Sequence, residues 1–185
     1  ADNSLAAYSG DWSVDPLAGR LVLRFSLSDS QSIMVRLLTE TLPPVWLQGK
    51  NGFSQKAGCD GCGSMYYSIP RISVVGSIAK GEVAHTNLHG IAWMDHEFMS
   101  NSLAKNHVGW DWLGLMLKDG RSLVVFQLRD KAGRVDFASA GIWNGTEAKR
   151  LSASEFTMTP RTYWKSGESG ARYPVSWRIE IPSEG

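Results

Sequence analysis

The sequence is short of cysteine, of net charge, of long apolar runs and of helical periodicity. Two Cys in 185 residues cannot make a disulfide-dense scaffold. A formal net charge of +1 argues against nucleic acid as the main partner, because phosphate binding needs a basic face. No apolar run approaches the ~18–20 residues of a membrane-spanning helix, so no membrane span is expected. No stretch carries an amphipathic helix of three turns, and residues 99–106 offer at most one turn. There is no G-x-S-x-G, P-loop or G-x-G-x-x-G, so no motif supports a hydrolase triad or a nucleotide site. The opening Ala1-Asp2-Asn3-Ser4 lacks the basic flank and apolar stretch of a secretory signal. That leaves a mature secreted chain, a cytosolic chain and a fragment all open.

What the sequence does have is tryptophan and a period of two. Eight Trp, five Tyr and six Phe point to a core or a cavity built largely from aromatics. Leu21, Leu23, Phe25 and Leu27 share one parity, with Arg24, Ser26 and Ser28 on the other, which reads as a half-buried strand. Asp29-Ser30-Gln31 reads as a turn into Ile33, Val35 and Leu37, and Pro43-Pro44 ends that run. Residues 49–63 are Gly-rich, hold both Cys and read as a long loop. Strand-like runs follow near 64–70, 71–79, 88–98, 108–118, 121–130, 133–143 and 173–182. Asp119-Gly120 is the strongest hairpin signal among them. The expected fold class is all-β, an antiparallel barrel or sandwich. Gly-rich residues 165–171 break the pattern before Tyr173.

The segment 90–98, GIAWMDHEF, is the most informative chemically. On a strand, Trp93, Asp95 and Glu97 share one face, and Met94, His96 and Phe98 the other. If the first face lines a cavity, low dielectric would raise one carboxyl's pKa and make it an acid able to protonate a double bond or leaving group. If it meets solvent or pairs with Arg, the carboxylates are structural. In 109–117, Trp110, Trp112, Gly114 and Met116 share a parity, and Gly114 leaves room where neighbours could frame a ligand. Gln127 and Arg129 share a parity on the next strand, and Asp95 or Glu97 are natural partners for a buried Arg129. Together these residues compose either a small-molecule chamber or a Trp-rich core with a structural salt bridge.

Cys59-Asp60-Gly61-Cys62 has the spacing of a redox pair, a local disulfide or half a metal site. Adding His85 and His89 makes a two-Cys, two-His set, but the 22 residues between Cys62 and His85 do not suit a zinc finger. No resident metal or cofactor is expected. Asn144-Gly145-Thr146 is a glycosylation sequon of a kind that also arises by chance.

Three stretches taken together, residues 47–76, residues 90–98 with 109–129, and YPVSWRIEIP at 173–182, resemble the lipocalin-like AttH and carotenoid 1,2-hydratase (CrtC) family. Some of its members are labelled secreted hydrolases, and related fungal proteins act as cyclases in polyketide pathways. The resemblance implies a lipocalin-like β-barrel over 1–164. It implies that 165–185 is a Gly-rich linker with a strand resembling the start of a second barrel. Longer members carry an EWWY-type segment before this region and Trp-Glu-Gly and Gly-Tyr motifs after it. The chain therefore reads as the middle of that plan, with another chain or domain completing a second barrel. By resemblance the compartment would be periplasmic or extracellular. The implied function is binding of a hydrophobic unsaturated small molecule of terpenoid, polyene or polyketide type. Hydration, isomerisation or cyclisation would follow by carboxylic-acid proton transfer. Asp95 or Glu97 would be the acid, with Arg129 and His96 tuning it. Trp93, Trp110, Trp112, Tyr67, Gln127 and Met116 would contact the ligand. A non-catalytic lipophile carrier, a filled structural domain and a secreted hydrolase are the rival readings.

Overall fold

Alternating side chains dominate the computed structural model, which describes residues 6–18, 20–27, 33–40, 43–99 and 104–184. Among the described residues the regular structure is fourteen β-strands and one 3-10 turn, Pro182–Glu184. Among the described residues no helix is long and apolar enough to cross a membrane. The turn expected at 29–31 and residues 100–103 of the helical turn expected at 99–106 lie outside the described residues.

The chain forms two units. The first takes residues 1–45 and 68–95. It holds β1 (Ala7–Ser9), β2 (Trp12–Leu17), β3 (Arg20–Leu27) and β4 (Ile33–Thr39). It also holds most of β7 (Gly63–Lys80) and β8 (Val83–Phe98). β1 to β4 pair in sequence order, β4 continues antiparallel onto β7, and β8 also pairs with β7. Leu21, Val22, Val35, Ile69, Ile72 and Val74 are its buried apolar residues. Thr39 lies buried among them because its hydroxyl oxygen accepts the Leu21 N–H at 2.8 Å. The runs 64–70 and 71–79, separate in the sequence reading, form the single strand β7. Arg71, directly after Pro70, takes φ 59° and marks the join with a left-handed residue instead of a turn.

The second unit takes residues 46–67 and 96–185. β5 (Trp46–Leu47) and β6 (Phe53–Gln55) pair with the first part of β7. A four-stranded antiparallel sheet follows in the order β12 (Ala148–Leu151), β11 (Val135–Trp143), β10 (Ser122–Asp130), β9 (His107–Met116). β13 (Thr157–Lys165) and β14 (Arg172–Glu180) make a hairpin, closed by the Gly-rich residues 166–171. The hairpin predicted at Asp119-Gly120 joins β9 to β10: Gly120 takes φ 95° and Leu117 N–H bonds to Arg121 O.

The seven residues Ser122–Leu128 of β10 are all buried, because both faces of this strand are covered. Leu123 and Val125 join Ala140, Ile142, Leu151, Phe156 and Met158 in the main apolar cluster. Trp177, Ile179 and Ile181 also pack on that cluster, which ties β14 to the core of this unit. Val124, Phe126 and Leu128 point to the opposite face. Trp46 stacks on Trp143 at 6.0 Å over Gly141, where a Cβ would lie 2.8 Å from the Trp46 ring. The sequon residue Asn144 is used locally: its side-chain oxygen accepts the N–H groups of Thr146 and Glu147.

Candidate functional site

The second unit holds a partly open cavity of about 130 Å³ lined by Lys56, Glu97, Met99, Trp110, Trp112, Phe126 and Leu128. Antiparallel register creates its aromatic wall, with Trp112 opposite Phe126 and Trp110 opposite Leu128. The Trp112 ring folds over Gly114, where a Cβ would lie 2.6 Å from it. The room expected at Gly114 is therefore filled by Trp112 itself. Trp112 Nε1 donates to the buried Tyr66 hydroxyl at 3.2 Å, which fixes the ring.

The polar corner belongs to Lys56 and Glu97. Lys56 Nζ lies 2.9 Å from Glu97 Oε1, and the same carboxylate oxygen accepts the Ser64 hydroxyl. The Lys56 ammonium also sits 4.4 Å from the Phe126 ring centroid and 5.3 Å from that of Tyr66. Its side chain is only 17% exposed. The loop that carries it is pinned at several points. Lys56 N–H bonds to Cys62 O at 2.8 Å, and Gln55 Nε2 donates to Ala57 O and Cys59 O. Cys59 and Cys62 form a disulfide within the same loop. Of the open alternatives for this pair, the disulfide is the state present. Among the described residues no group of three or more His, Cys, Asp or Glu could hold a metal.

Of the residues singled out from sequence, the cavity gathers Glu97, Trp110 and Trp112. Asp95 and Trp93 belong to the first unit, where Asp95 Oδ1 accepts Trp93 Nε1 at 2.8 Å and the Ser68 hydroxyl at 2.5 Å. Tyr67 and His96 meet each other, with the phenol oxygen 2.8 Å from Nδ1, and the His96 ring lies against that of Phe98 in a tilted arrangement, 4.1 Å between centroids. Burial pushes the Tyr67 phenol's pKa up, so the phenol keeps its proton. Arg129 was expected beside Asp95 or Glu97, and the structure pairs it with Asp111 instead. Its Nε lies 3.0 Å from Asp111 Oδ2, and Gln127 Nε2 donates to the same oxygen at 3.0 Å. Strand alternation explains the difference: Asp111, Gln127 and Arg129 occupy the sheet face opposite Trp110, Trp112, Phe126 and Leu128. Met116 is exposed at the end of β9 and is not part of the cavity wall.

Sequence reasoning missed Lys56, Ser64, Met99, Phe126 and Leu128. The signal for Phe126 and Leu128 was present, since they alternate with Gln127 and Arg129 and must face the other way. Lys56 had no comparable signal, being a single basic residue in a Gly-rich loop.

The sequence profile of the AttH-like family matches residues 1–185. The chain belongs to the AttH-like family. An AttH protein (NE1406) from Nitrosomonas europaea, solved as a crystal structure, is 29% identical with a TM-score of 0.85. That match covers 95% of this chain and 54% of the other. Kievitone hydratase from Nectria haematococca shares the fold at 14% identity with a TM-score of 0.71, over 97% of this chain and 55% of the hydratase. No curated protein matches the sequence. The chain thus spans just over half the length of these two structures. The all-β, antiparallel, lipocalin-like fold class holds. Within this AttH-like chain, the stretch 47–76 supplies Lys56 and Ser64, the stretch 90–98 supplies Glu97, and the stretch 109–129 supplies the aromatic wall.

Proposed function

We propose that this AttH-like protein binds a hydrophobic small molecule and seats one ring-sized group of it in the cavity of the second unit. The observation that carries this reading is the apolar wall of Trp110, Trp112, Phe126 and Leu128 closed at one corner by Lys56 and Glu97. An apolar enclosure with a few convergent polar groups is the usual composition of a ligand site. Its volume supports a limit on size. An engineered apolar cavity of about 150 Å³ holds benzene, so about 130 Å³ suits one ring and not a whole polyene. The remainder of a longer ligand would lie beyond the cavity mouth, where Trp110 is 58% exposed. Titration with one-ring and extended polyene ligands, followed by tryptophan fluorescence, tests the reading. Binding that Trp112→Ala weakens about tenfold or more supports it. Equal binding by wild type and variant overturns it.

A second reading adds catalysis. Glu97 is the one carboxyl group among the residues lining this cavity, and the fold is shared with a hydratase. In this reading Glu97, once protonated, donates to an alkene carbon while the aromatic faces shelter the cation, and water adds to the cation and gives up its proton to the Glu97 carboxylate. Ligand incubated in heavy water would then acquire deuterium at carbon. Glu97→Gln would abolish that incorporation while leaving ligand bound.

A further inference from the structure

We infer that Lys56 sets the specificity of this cavity by serving as a built-in cation, so that uncharged ring-bearing ligands are admitted and charged ones rejected. The inference rests on the ligand-binding reading above. A carboxylate beside aromatic rings is a recognition set for a cation. Here that set is already filled by the protein, because the Lys56 ammonium touches Glu97 at 2.9 Å and lies over Phe126 at 4.4 Å. The remaining lining residues, Met99, Trp110, Trp112, Phe126 and Leu128, carry no charge, so the lining charges sum to zero. An anionic ligand end would meet Glu97, and a cationic one would meet Lys56. Either would have to break the ion pair and leave one member unpaired in a largely apolar enclosure, which is costly. A hydroxyl or carbonyl can instead bond to the intact pair.

The loop gives Lys56 its place before any ligand arrives. Its own N–H is held by Cys62 O, and Gln55 next to it donates to Ala57 O and to Cys59 O, so both half-cystines of the turn help to hold this stretch. The cation is therefore a fixed part of the wall, and its removal leaves the lining net negative.

Three one-ring probes test this: benzyl alcohol, benzyltrimethylammonium and phenylacetate, titrated by NMR into the full chain and into two variants. Wild type is expected to bind benzyl alcohol at least about tenfold more tightly than either charged probe. Lys56→Met, which bares Glu97, should raise affinity for benzyltrimethylammonium by about tenfold or more. Glu97→Gln, which bares Lys56, should do the same for phenylacetate by about tenfold or more. Charged probes binding wild type as well as the alcohol does, or an order of affinities unchanged in both variants, overturns the inference while the cavity reading survives. Binding of no probe by any of the three proteins overturns both. Should Lys56→Met fail to fold, as near-UV circular dichroism would show, Glu97→Gln decides alone.

Discussion

Gly141 shows how closely a single residue type is dictated here. Its missing side chain is the space that Trp46 occupies against Trp143, and an added Cβ would lie 2.8 Å from the Trp46 ring. Trp46 is almost wholly buried and stacked on Trp143, so moving it disturbs that pair. Gly141→Ala should therefore overpack this site and cost about 1–3 kcal/mol. Urea denaturation would register this as a lower midpoint with an unchanged slope. Gly114 differs only in the consequence. The clash there is again with an indole, that of Trp112, but Trp112 is a cavity wall and 37% exposed. A methyl group at Gly114 should move the ring and perturb ligand binding more than stability.

At the scale of elements, the loop between β6 and β7 is where a local covalent link meets the polar corner of the cavity. With Cys59–Cys62 reduced, the turn that accepts the Lys56 N–H loses its closure. Hydrogen exchange of a peptide covering 55–63 should then speed up, while peptides from β10 keep their protection. Unchanged exchange in 55–63 would show that the turn holds without the disulfide. The same loop marks the limit of what the sequence disclosed. β3, β4, β9, β10, β11 and β14 were legible because one face is apolar and the other polar, or because both faces are buried in a strand bounded by turn signals. β13 was not, since Pro160, Arg161 and the exposed Tyr163 and Trp164 disturb its alternation. Trp110, Trp112 and Glu97 of the site were legible as an aromatic and acidic group on strands. Lys56 was not, because what makes it notable is its reach to Glu97, and residues 41 positions apart in sequence show no mutual period. Asp111 was hidden in a tryptophan-rich run, and only the register opposite Gln127 identifies it as the partner of Arg129.

For the whole molecule, several carboxylates of the second unit are held below the ordinary range by their partners. The Arg121 and Arg134 backbone N–H groups act on Asp119 and Asp130, and His107 acts on Asp136. The Ser152 N–H acts on Glu155, and Lys149, with Arg121 also bonded, acts on Glu184. Each folded-state pKa lies below its unfolded value, so each contributes stability that is complete above the unfolded pKa. That stability is lost as pH falls through the folded pKa. The urea midpoint should therefore hold steady toward acid until about pH 4 and decline below it. Glu184→Gln should flatten that decline, because it removes one of the groups whose proton uptake differs between folded and unfolded chains.

The path of the chain through its two units has a further consequence. It crosses between them after Val45, after Tyr67 and after Asp95, the last two crossings lying inside β7 and β8. A single genetic crossover therefore cannot exchange one whole unit for that of a relative, since no one breakpoint separates all of one unit from all of the other. The units must vary together or through several coordinated exchanges. The lineage of the cavity and that of the first sheet are bound to one history by the threading of two strands.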